Sequence, residues 1–382
     1  MLISFLQRLY EDLPIPDSPE FFNQLAEEIE LFSISAQVYS LLFAKNRLSE
    51  MPESLFKRLK DKYNRIQLQN LLIKQETESL LSQFRSQHIM AIPLKGTRFA
   101  ERFFGHFAAR GTSDIDLLIY PEDIKRAIDN VKALGFTEMK EERRSNNHCS
   151  FYKQTGSETF QLSVELHWGL EKEYGADVNH ERIWQDAIST AGDPYIKELS
   201  NEHTFYYICL HGARHQMESV KYFIDILQIL HQVGHELDFT RMFKQAARDK
   251  TLNRMKYVLT VVYRQFPHLH NIKPLLEQTQ FAPWNYEVTK ATATQKKNLH
   301  YYMHQILLRF YMSIWIYDGW KHRILSIPIV SLLIPPVNYI IYSMDLDSSE
   351  HLSNSRLYRL FYQNRWKKIK QLFGIRRLNE GD

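Results

Sequence analysis

Apolar residues follow different patterns in three successive parts of the chain. Between residues 1 and 88 they recur every three or four positions, as at Leu25 and Ile29, with charged side chains on the other face. This spacing is typical of amphipathic helices. Between 89 and 170 short apolar runs and alternating segments predict strands. From 171 to 382 the helical spacing returns.

These patterns predict an α+β protein with a small mixed-sheet core between two helical regions. The predicted regions are 1–88, 89–170 and 171–382. The predicted strands of the core are 89–94, 115–120, 136–139, 149–153 and 159–168. Gly135 follows a predicted helix over 121–134 and is placed to end it.

Two carboxylates mark the start of the second predicted strand. Asp114 and Asp116 are two positions apart, so their side chains share one face of the strand, about 7 Å apart along the backbone. Like charges this close repel each other unless a cation lies between them. Because both ligands are oxygens, the pair favours Mg²⁺ or Mn²⁺ over zinc.

A glycine turn precedes this pair in the sequence. Lys95, Gly96 and Thr97 lie between an apolar strand and a predicted helix over 97–104. Glycine at such a turn lets backbone N–H groups approach an anion, and the N-terminus of a helix favours negative charge. A phosphate site beside a metal site suggests nucleotide chemistry.

A third acid lies in the last predicted strand of the core. Glu165 stands between Val164 and Leu166 in an alternating segment. If the apolar side chains pack on helices, Glu165 faces the same site as the two aspartates. His167 shares that face, where a hydrogen-bonded structural role is expected for it.

Together these motifs resemble those of the DNA polymerase β-like nucleotidyltransferase superfamily. Within it they look like the bacterial family of uncharacterised nucleotidyltransferases. The resemblance covers roughly residues 89–170 and is carried by Lys-Gly-Thr at 95–97, Asp-Ile-Asp-Leu-Leu-Ile at 114–119, Ala-Leu-Gly-Phe at 133–136 and Val-Glu-Leu-His-Trp at 164–168. One departure is the segment between Gly96 and Asp114, which is longer than is usual in the superfamily.

The resemblance implies a two-metal transfer of a nucleoside monophosphate from an NTP to a hydroxyl, with release of pyrophosphate. Asp114, Asp116 and Glu165 would hold Mg²⁺ or Mn²⁺, and Glu165 would also help to deprotonate the acceptor. Gly96 and Thr97 would hold the phosphates. The acceptor is unknown; a small molecule, a protein hydroxyl, a sugar or a tRNA end would fit.

Several basic residues remain open to two interpretations. Lys95 and Arg110 could contact the triphosphate, but Arg110 could equally pair with Asp114. His211 and His215 have the spacing of a helical metal pair, yet lack an adjacent glutamate base. Asp225 lies in an apolar stripe and is expected to pair with a buried partner, with His211 and Arg214 as candidates.

Composition narrows the possible partners and the compartment. The formal net charge of +4 is small, and the dense basic cluster lies at the far C-terminus, so long nucleic acid is not expected as a substrate. Two cysteines are too few for a disulfide framework, and a signal-peptide pattern is lacking, which favours the cytoplasm. Prolines interrupt the apolar stretch 324–344, so we interpret it as buried or partner-facing, with membrane association through this stretch as the alternative.

Two functions of other classes also fit an Asp-x-Asp motif. A glycosyltransferase binds a metal and a nucleotide sugar with such a motif, but it usually has a larger nucleotide domain ahead of it than the helical first 88 residues allow. A catalytically silent interaction protein could keep the nucleotidyltransferase fold. The presence of all three acids favours an enzyme.

Overall fold

Helices form the first part of the chain, as the apolar spacing predicts. The computed structural model describes residues 1–139, 147–154, 161–171, 175–190, 192–276, 278–280, 282–294, 310, 312, 314–326, 340, 344 and 353–372. The N-terminal helices are α1 (Leu2–Tyr10), α2 (Pro19–Leu31), α3 (Ser35–Ala44) and α4 (Glu53–Ser86). The longest of these, α4, is a single helix of 34 residues.

The middle of the chain contains the predicted strands, with two helices between them. The strands are β1 (Ala91–Pro93), β2 (Asp114–Ile119), β3 (Thr137–Glu138), β4 (His148–Gln154) and β5 (Gln161–His167). The helices are α5 (Thr97–Phe104) and α6 (Ile124–Ala133). Gly135 follows α6 with a φ of +87°, a conformation that suits a helix-ending glycine.

In the described part of the chain, these five strands form one mixed sheet in the order β1-β2-β5-β4-β3. The central pair, β2 and β5, is parallel, and the other neighbours are antiparallel. The predicted α+β class is therefore confirmed, whereas a polymerase β-like core stays a prediction.

Helices return after the sheet. They are α7 (His180–Gln185), α8 (Asn201–Arg214), α9 (Val220–Val233), α10 (Phe239–Arg248), α11 (Leu252–Gln265), α12 (Leu269–Ile272), α13 (Tyr286–Thr294), α14 (Gly319–Ser326) and α15 (Asn354–Leu372). A short ribbon, β6 (Ile188–Ser189) with β7 (Lys197–Glu198), lies between α7 and α8. The predicted three-part division of the chain stays a prediction.

The two faces of the sheet belong to different hydrophobic clusters. Ile115, Leu117, Val164 and Leu166 pack with the second half of α4 and with α6. On the opposite face, Leu118 joins a larger cluster that contains residues of α1 to α3 and of α8 to α11. Because side chains alternate along a strand, the even-numbered side chains of β2 lie on the same face as Leu118, opposite the face that packs on α4 and α6.

The turn that leads into β2 is fastened to the middle of α4. Asn70 is fully buried, and its amide donates to the carbonyl oxygens of Phe107 and Arg110, each at 2.8 Å. Its side-chain oxygen accepts from the backbone N–H of Thr112 at 3.3 Å. One side chain thus satisfies three backbone groups in an irregular segment, which fixes the point at which β2 begins.

Two segments singled out in the sequence lie largely outside the described residues. The apolar stretch 324–344 is one of them, and most side chains of the C-terminal basic cluster are the other. Among the described helices, none combines the length and the apolar character that crossing a membrane requires.

We predict that Asn70→Ala lowers the free energy of unfolding by about 3 kcal/mol, because three backbone groups, of which those of Arg110 and Thr112 are buried, lose their partner. Chemical denaturation of the purified variant measures this change. Asn64→Ala is the matched control, since Asn64 is exposed on the same helix and should change stability by less than about 0.5 kcal/mol. Equal effects of the two substitutions would contradict the role assigned to Asn70.

Candidate functional site

The parallel pairing of β2 with β5 brings the predicted acids together. Asp116 lies directly opposite Glu165, and Asp114 lies opposite Ser163. Asp114 and Asp116 share a face of β2, and directly paired residues share a face of the sheet. All three carboxylates therefore lie on one side, away from the cluster that contains Val164 and Leu166.

The glycine turn lies beside these carboxylates. A side-chain carbon at Gly96 would be 3.9 Å from the carbonyl oxygen of Asp114, and the backbone N–H of Leu94 donates to the carbonyl oxygen of Asp116 at 3.0 Å. A small cleft is lined by Lys95, Gly96, Thr97, Asp114 and Asp116, among other residues. The long segment after Gly96 does not separate the two motifs, because α5 and the turn held by α4 return the chain to the same place.

Gly96 has a backbone conformation that other residues avoid. Its φ of +83° and ψ of −145° lie in a region that is essentially restricted to glycine. It immediately precedes α5, whose first N–H groups have no partners within the helix. The turn thus presents backbone donors at the edge of the cleft, as an anion site requires.

Cationic side chains surround the most buried acid. The Nζ atom of Lys95 is 2.9 Å from Oδ2 of Asp116, and Nε2 of His167 is 3.1 Å from its Oδ1. Burial alone would raise the pKa of Asp116, but the Lys95 ammonium and the His167 hydrogen bond outweigh it and hold that pKa well below its usual range. Asp116 is therefore ionised at neutral pH.

His167 also contacts the third acid. Its Nε2 lies 3.2 Å from Oε2 of Glu165. Burial lowers the pKa of His167, whereas the bonds to Asp116 and Glu165 raise it, and the net shift is upward. For Glu165, burial raises the pKa and the His167 bond lowers it, with a net shift downward. The expectation that His167 is hydrogen-bonded is thus confirmed, and its structural role stays a prediction.

Asp114 is the acid with the least compensation. Among the described residues, its hydrogen-bond donor is the hydroxyl of Ser113, at 3.2 Å. Burial raises the pKa of Asp114, and so does the negative charge of Asp116. An anion in this situation gains stability when a cation binds beside it.

A second set of possible metal ligands shares Glu165. Within the described chain, His148, Glu165 and His167 offer ligand atoms that all lie within 4.8 Å of one another. His148 pairs with His167 across β4 and β5, so its position depends on strand register. The sequence analysis missed His148, although it stands just before the predicted strand 149–153. Imidazole ligands would favour Mn²⁺ or a later transition metal over Mg²⁺.

Arg110 has a partner that the sequence analysis did not consider for it. Its Nε and Nη2 atoms donate to the two carboxylate oxygens of Asp225 at 2.7 and 2.8 Å, and both side chains are buried. Its partner is therefore not Asp114, and the two donors that face Asp225 are not available to a triphosphate. The prediction that Asp225 pairs with a buried partner is confirmed, but that partner is Arg110 and neither of the candidates, His211 and Arg214. Arg214 instead bonds to Glu171 at 2.7 Å.

Helix α8 carries two titratable side chains whose pKa values respond to the charges of the site. Burial raises the pKa of the Tyr207 hydroxyl. The Lys95 ammonium lowers this pKa, and the carboxylates of Asp116 and Glu165 raise it, so Tyr207 is within electrostatic range of all three charges. Burial and Lys95 lower the pKa of His211 in the same helix. Sequence reasoning singled out His211 but missed Tyr207, which looks like an ordinary core tyrosine.

The sequence of this chain matches one protein family over most of its length. The family model described as an uncharacterised nucleotidyltransferase matches residues 23–267, which include all the site residues described above. The chain belongs to this nucleotidyltransferase family. Searches of curated proteins and of solved structures gave no significant match.

The family match extends beyond residues 89–170, which contain the sequence motifs. The match includes most of the N-terminal helices and continues through α11. The family thus includes the helices that cover the carboxylate face as well as the sheet itself. Its description supports nucleotidyl transfer as the general activity and an NTP as the substrate, and gives no support to glycosyl transfer.

We predict that Asp225→Ala lowers the free energy of unfolding by about 4 kcal/mol, because it leaves the Arg110 guanidinium buried without its partner. The combined change Arg110→Met with Asp225→Leu should cost less than Asp225→Ala alone, since it removes both charges. Chemical denaturation of the three proteins gives the comparison.

The matched control for this pair is an exposed ion pair. Arg58 and Glu30 are 3.0 Å apart, and their side chains are 46% and 41% exposed. Glu30→Ala should change stability by less than about 1 kcal/mol. If Asp225→Ala were as mild as Glu30→Ala, the buried pair would not hold α9 to the turn before β2.

Proposed function

We propose that this protein transfers a nucleoside monophosphate from an NTP to a hydroxyl group and releases pyrophosphate. The observation that supports the proposal most directly is the pairing of Asp116 with Glu165 across parallel strands. Asp114 lies on the same face, and the Gly96 turn lies beside it. Three acids next to an anion site are suited to holding a metal-bound triphosphate.

The acids fit a divalent cation, Mg²⁺ or Mn²⁺. Asp114, Asp116 and Glu165 would hold it, and the weak compensation of Asp114 is the structural observation that supports this fit. The negative charge of Asp116 is compensated by Lys95 and His167 more fully than the charges of Asp114 and Glu165 are compensated by their neighbours. When bound, the cation would neutralise charge on the phosphate oxygens and polarise the phosphorus for attack.

The chain's own groups would bind and orient the triphosphate. The N–H groups at the start of α5 and the Thr97 hydroxyl would donate hydrogen bonds to oxygens of the terminal phosphates at the Gly96 turn. The Lys95 ammonium, beside Asp116, would supply a positive charge between the acids and the phosphates. Arg110 would act indirectly, by holding the turn before β2 in place through Asp225.

Glu165 is suited to receive the proton of the acceptor hydroxyl. Its side chain is 27% exposed, whereas that of Asp116 is 1% exposed, so an acceptor can approach Glu165 directly. His167 Nε2 lies close to one carboxylate oxygen and would orient the other toward the acceptor. The acceptor would then approach over β5, on the side away from the Gly96 turn.

The nature of the acceptor follows from weaker observations. The small net charge argues against long nucleic acid and favours a small molecule or a protein hydroxyl.

A catalytically silent protein is the second candidate. It is favoured by one observation, since Lys95 and His167 already satisfy Asp116 without a metal ion.

The proposal predicts which phosphate of the NTP is transferred. We expect label from an α-labelled NTP to appear on a component of a cell extract in the presence of the protein and Mg²⁺ or Mn²⁺. Label from a γ-labelled NTP should appear in pyrophosphate. Asp116→Asn should reduce transfer by at least about 10²-fold, because the cation loses a charged ligand.

Asp129→Asn is the matched control, because Asp129 is an exposed acid on α6 and should leave transfer unchanged. Transfer of the γ-label to an acceptor would indicate a phosphotransferase and contradict the proposal. If every NTP, each with both cations, gave no transfer, the catalytically silent alternative would be supported instead.

A further inference from the structure

Three aromatic rings lie together where α8 ends and α9 begins. The ring centroids of His211 and His215 are 4.8 Å apart, and Tyr222 lies 5.3 Å from the first and 5.4 Å from the second. The rings of His215 and Tyr222 are nearly parallel, with an angle of 13° between their planes. We call these three residues the ring wall.

Part of the ring wall is open to solvent. The side chain of His215 is 40% exposed, and His211 and Tyr222 are half-buried. Because the rings of His215 and Tyr222 already stack on each other, a third ring can extend this stack on an exposed outer face, since aromatic systems favour offset stacking.

The turn that carries the ring wall has a fixed and unusual conformation. Gln216 and Met217 both have a φ of +54°, which non-glycine residues rarely adopt. Met217 is fully buried, and its Sδ would be only 2.7 Å from a side-chain carbon at Gly212. The indole N–H of Trp284 donates to the carbonyl oxygen of Met217 at 2.9 Å. The rings are therefore held in place by packing beneath them.

Two contacts connect the ring wall to the nucleotide side of the cleft. Lys221, next to Tyr222, donates to the carbonyl oxygen of Gly111 at 3.0 Å, shortly before β2 begins. Asp225, one turn further along α9, holds Arg110 in the same segment. The ring wall is thus attached to the chain that leads into Asp114, whereas Glu165 lies one strand further across the sheet.

His211 adds a polar group with unused hydrogen-bonding capacity. Burial and the nearby Lys95 ammonium lower the pKa of His211 well below its usual value, so its imidazole is neutral at neutral pH. A neutral imidazole has one donor and one acceptor. Within the described residues, neither ring nitrogen has a hydrogen-bond partner. A heteroaromatic ligand with donors and acceptors on its edge could use both.

We infer that the ring wall binds the nucleobase of the NTP, stacked on His215 and Tyr222 with an edge at His211. This inference rests on the proposed function and adds the position of the base. The base is favoured over the acceptor as occupant because Lys221, next to Tyr222, bonds to Gly111 in the segment that leads into Asp114, where the triphosphate is expected. An acceptor must instead reach Glu165.

The test separates binding of the base from binding of the phosphates. Equilibrium dissociation constants are measured for ATP and for inorganic tripolyphosphate, each with Mg²⁺, in the full-length protein and its variants. Tyr222→Ala should weaken ATP binding about tenfold, as expected for loss of a stacked base, and should leave tripolyphosphate binding unchanged within twofold. Tyr222→Phe keeps the ring and should keep the affinity for ATP.

Tyr195→Ala is the matched control. Tyr195 forms another tyrosine–histidine ring pair with His88, 4.9 Å between centroids, beside Ala91 at the far end of β1 from Gly96. It should leave both affinities unchanged. His215→Ala should reproduce the selective loss of ATP affinity.

The possible results distinguish this inference from the function on which it rests. Unchanged ATP affinity in Tyr222→Ala and His215→Ala would overturn the inference, and slower label transfer in those variants would reassign the ring wall to the acceptor. An equal loss of ATP and tripolyphosphate affinity would also overturn it. If the wild-type protein bound neither probe, the proposed function itself would fail, and the inference with it.

Discussion

The parallel pairing of β2 with β5 is the constraint on which the site depends. It sets Asp116 against Glu165 from segments that are far apart in the chain. A shift of one residue in this register would turn Glu165 onto the face occupied by Val164 and Leu166. Because those two side chains are fully buried against α4 and α6, the register is specified by the hydrophobic core rather than by the acids.

The helical regions hold the carboxylate site in place and do not supply its acids. Asn70 on α4 fixes the turn that precedes β2, and Asp225 on α9 fixes the same turn through Arg110. Two helices, one before and one after the strands in the sequence, therefore hold one irregular segment. This arrangement gives the long segment between Gly96 and Asp114 a defined path.

Local periodicity predicted the features that depend on neighbouring residues. The shared face of Asp114 and Asp116, the turn at Gly96 and the alternation around Glu165 all follow from two-residue spacing and glycine conformation. The sequence also led to the correct family. That these acids bind a metal remains the proposal made here.

Apart from the shared face of Glu165 and the two aspartates, the features that depend on distant contacts were not predicted. Arg110 and Asp225 are 115 positions apart, so their pairing could not be derived from local patterns, and the partners suggested for Asp225 were wrong. His148 joins Glu165 only through the antiparallel register of β4 with β5. Tyr207 lies near the carboxylates because α8 packs over the sheet, and its sequence neighbours give no sign of this.

Anomalous X-ray scattering from crystals grown with Mn²⁺ and a non-hydrolysable NTP analogue tests the central claim most directly. The account predicts Mn²⁺ in direct coordination with Asp114 and Asp116, with Glu165 facing the same ion or a second one, and with the triphosphate at the Gly96 turn. Mn²⁺ bound by His148, Glu165 and His167 while both aspartates remain without metal would contradict it.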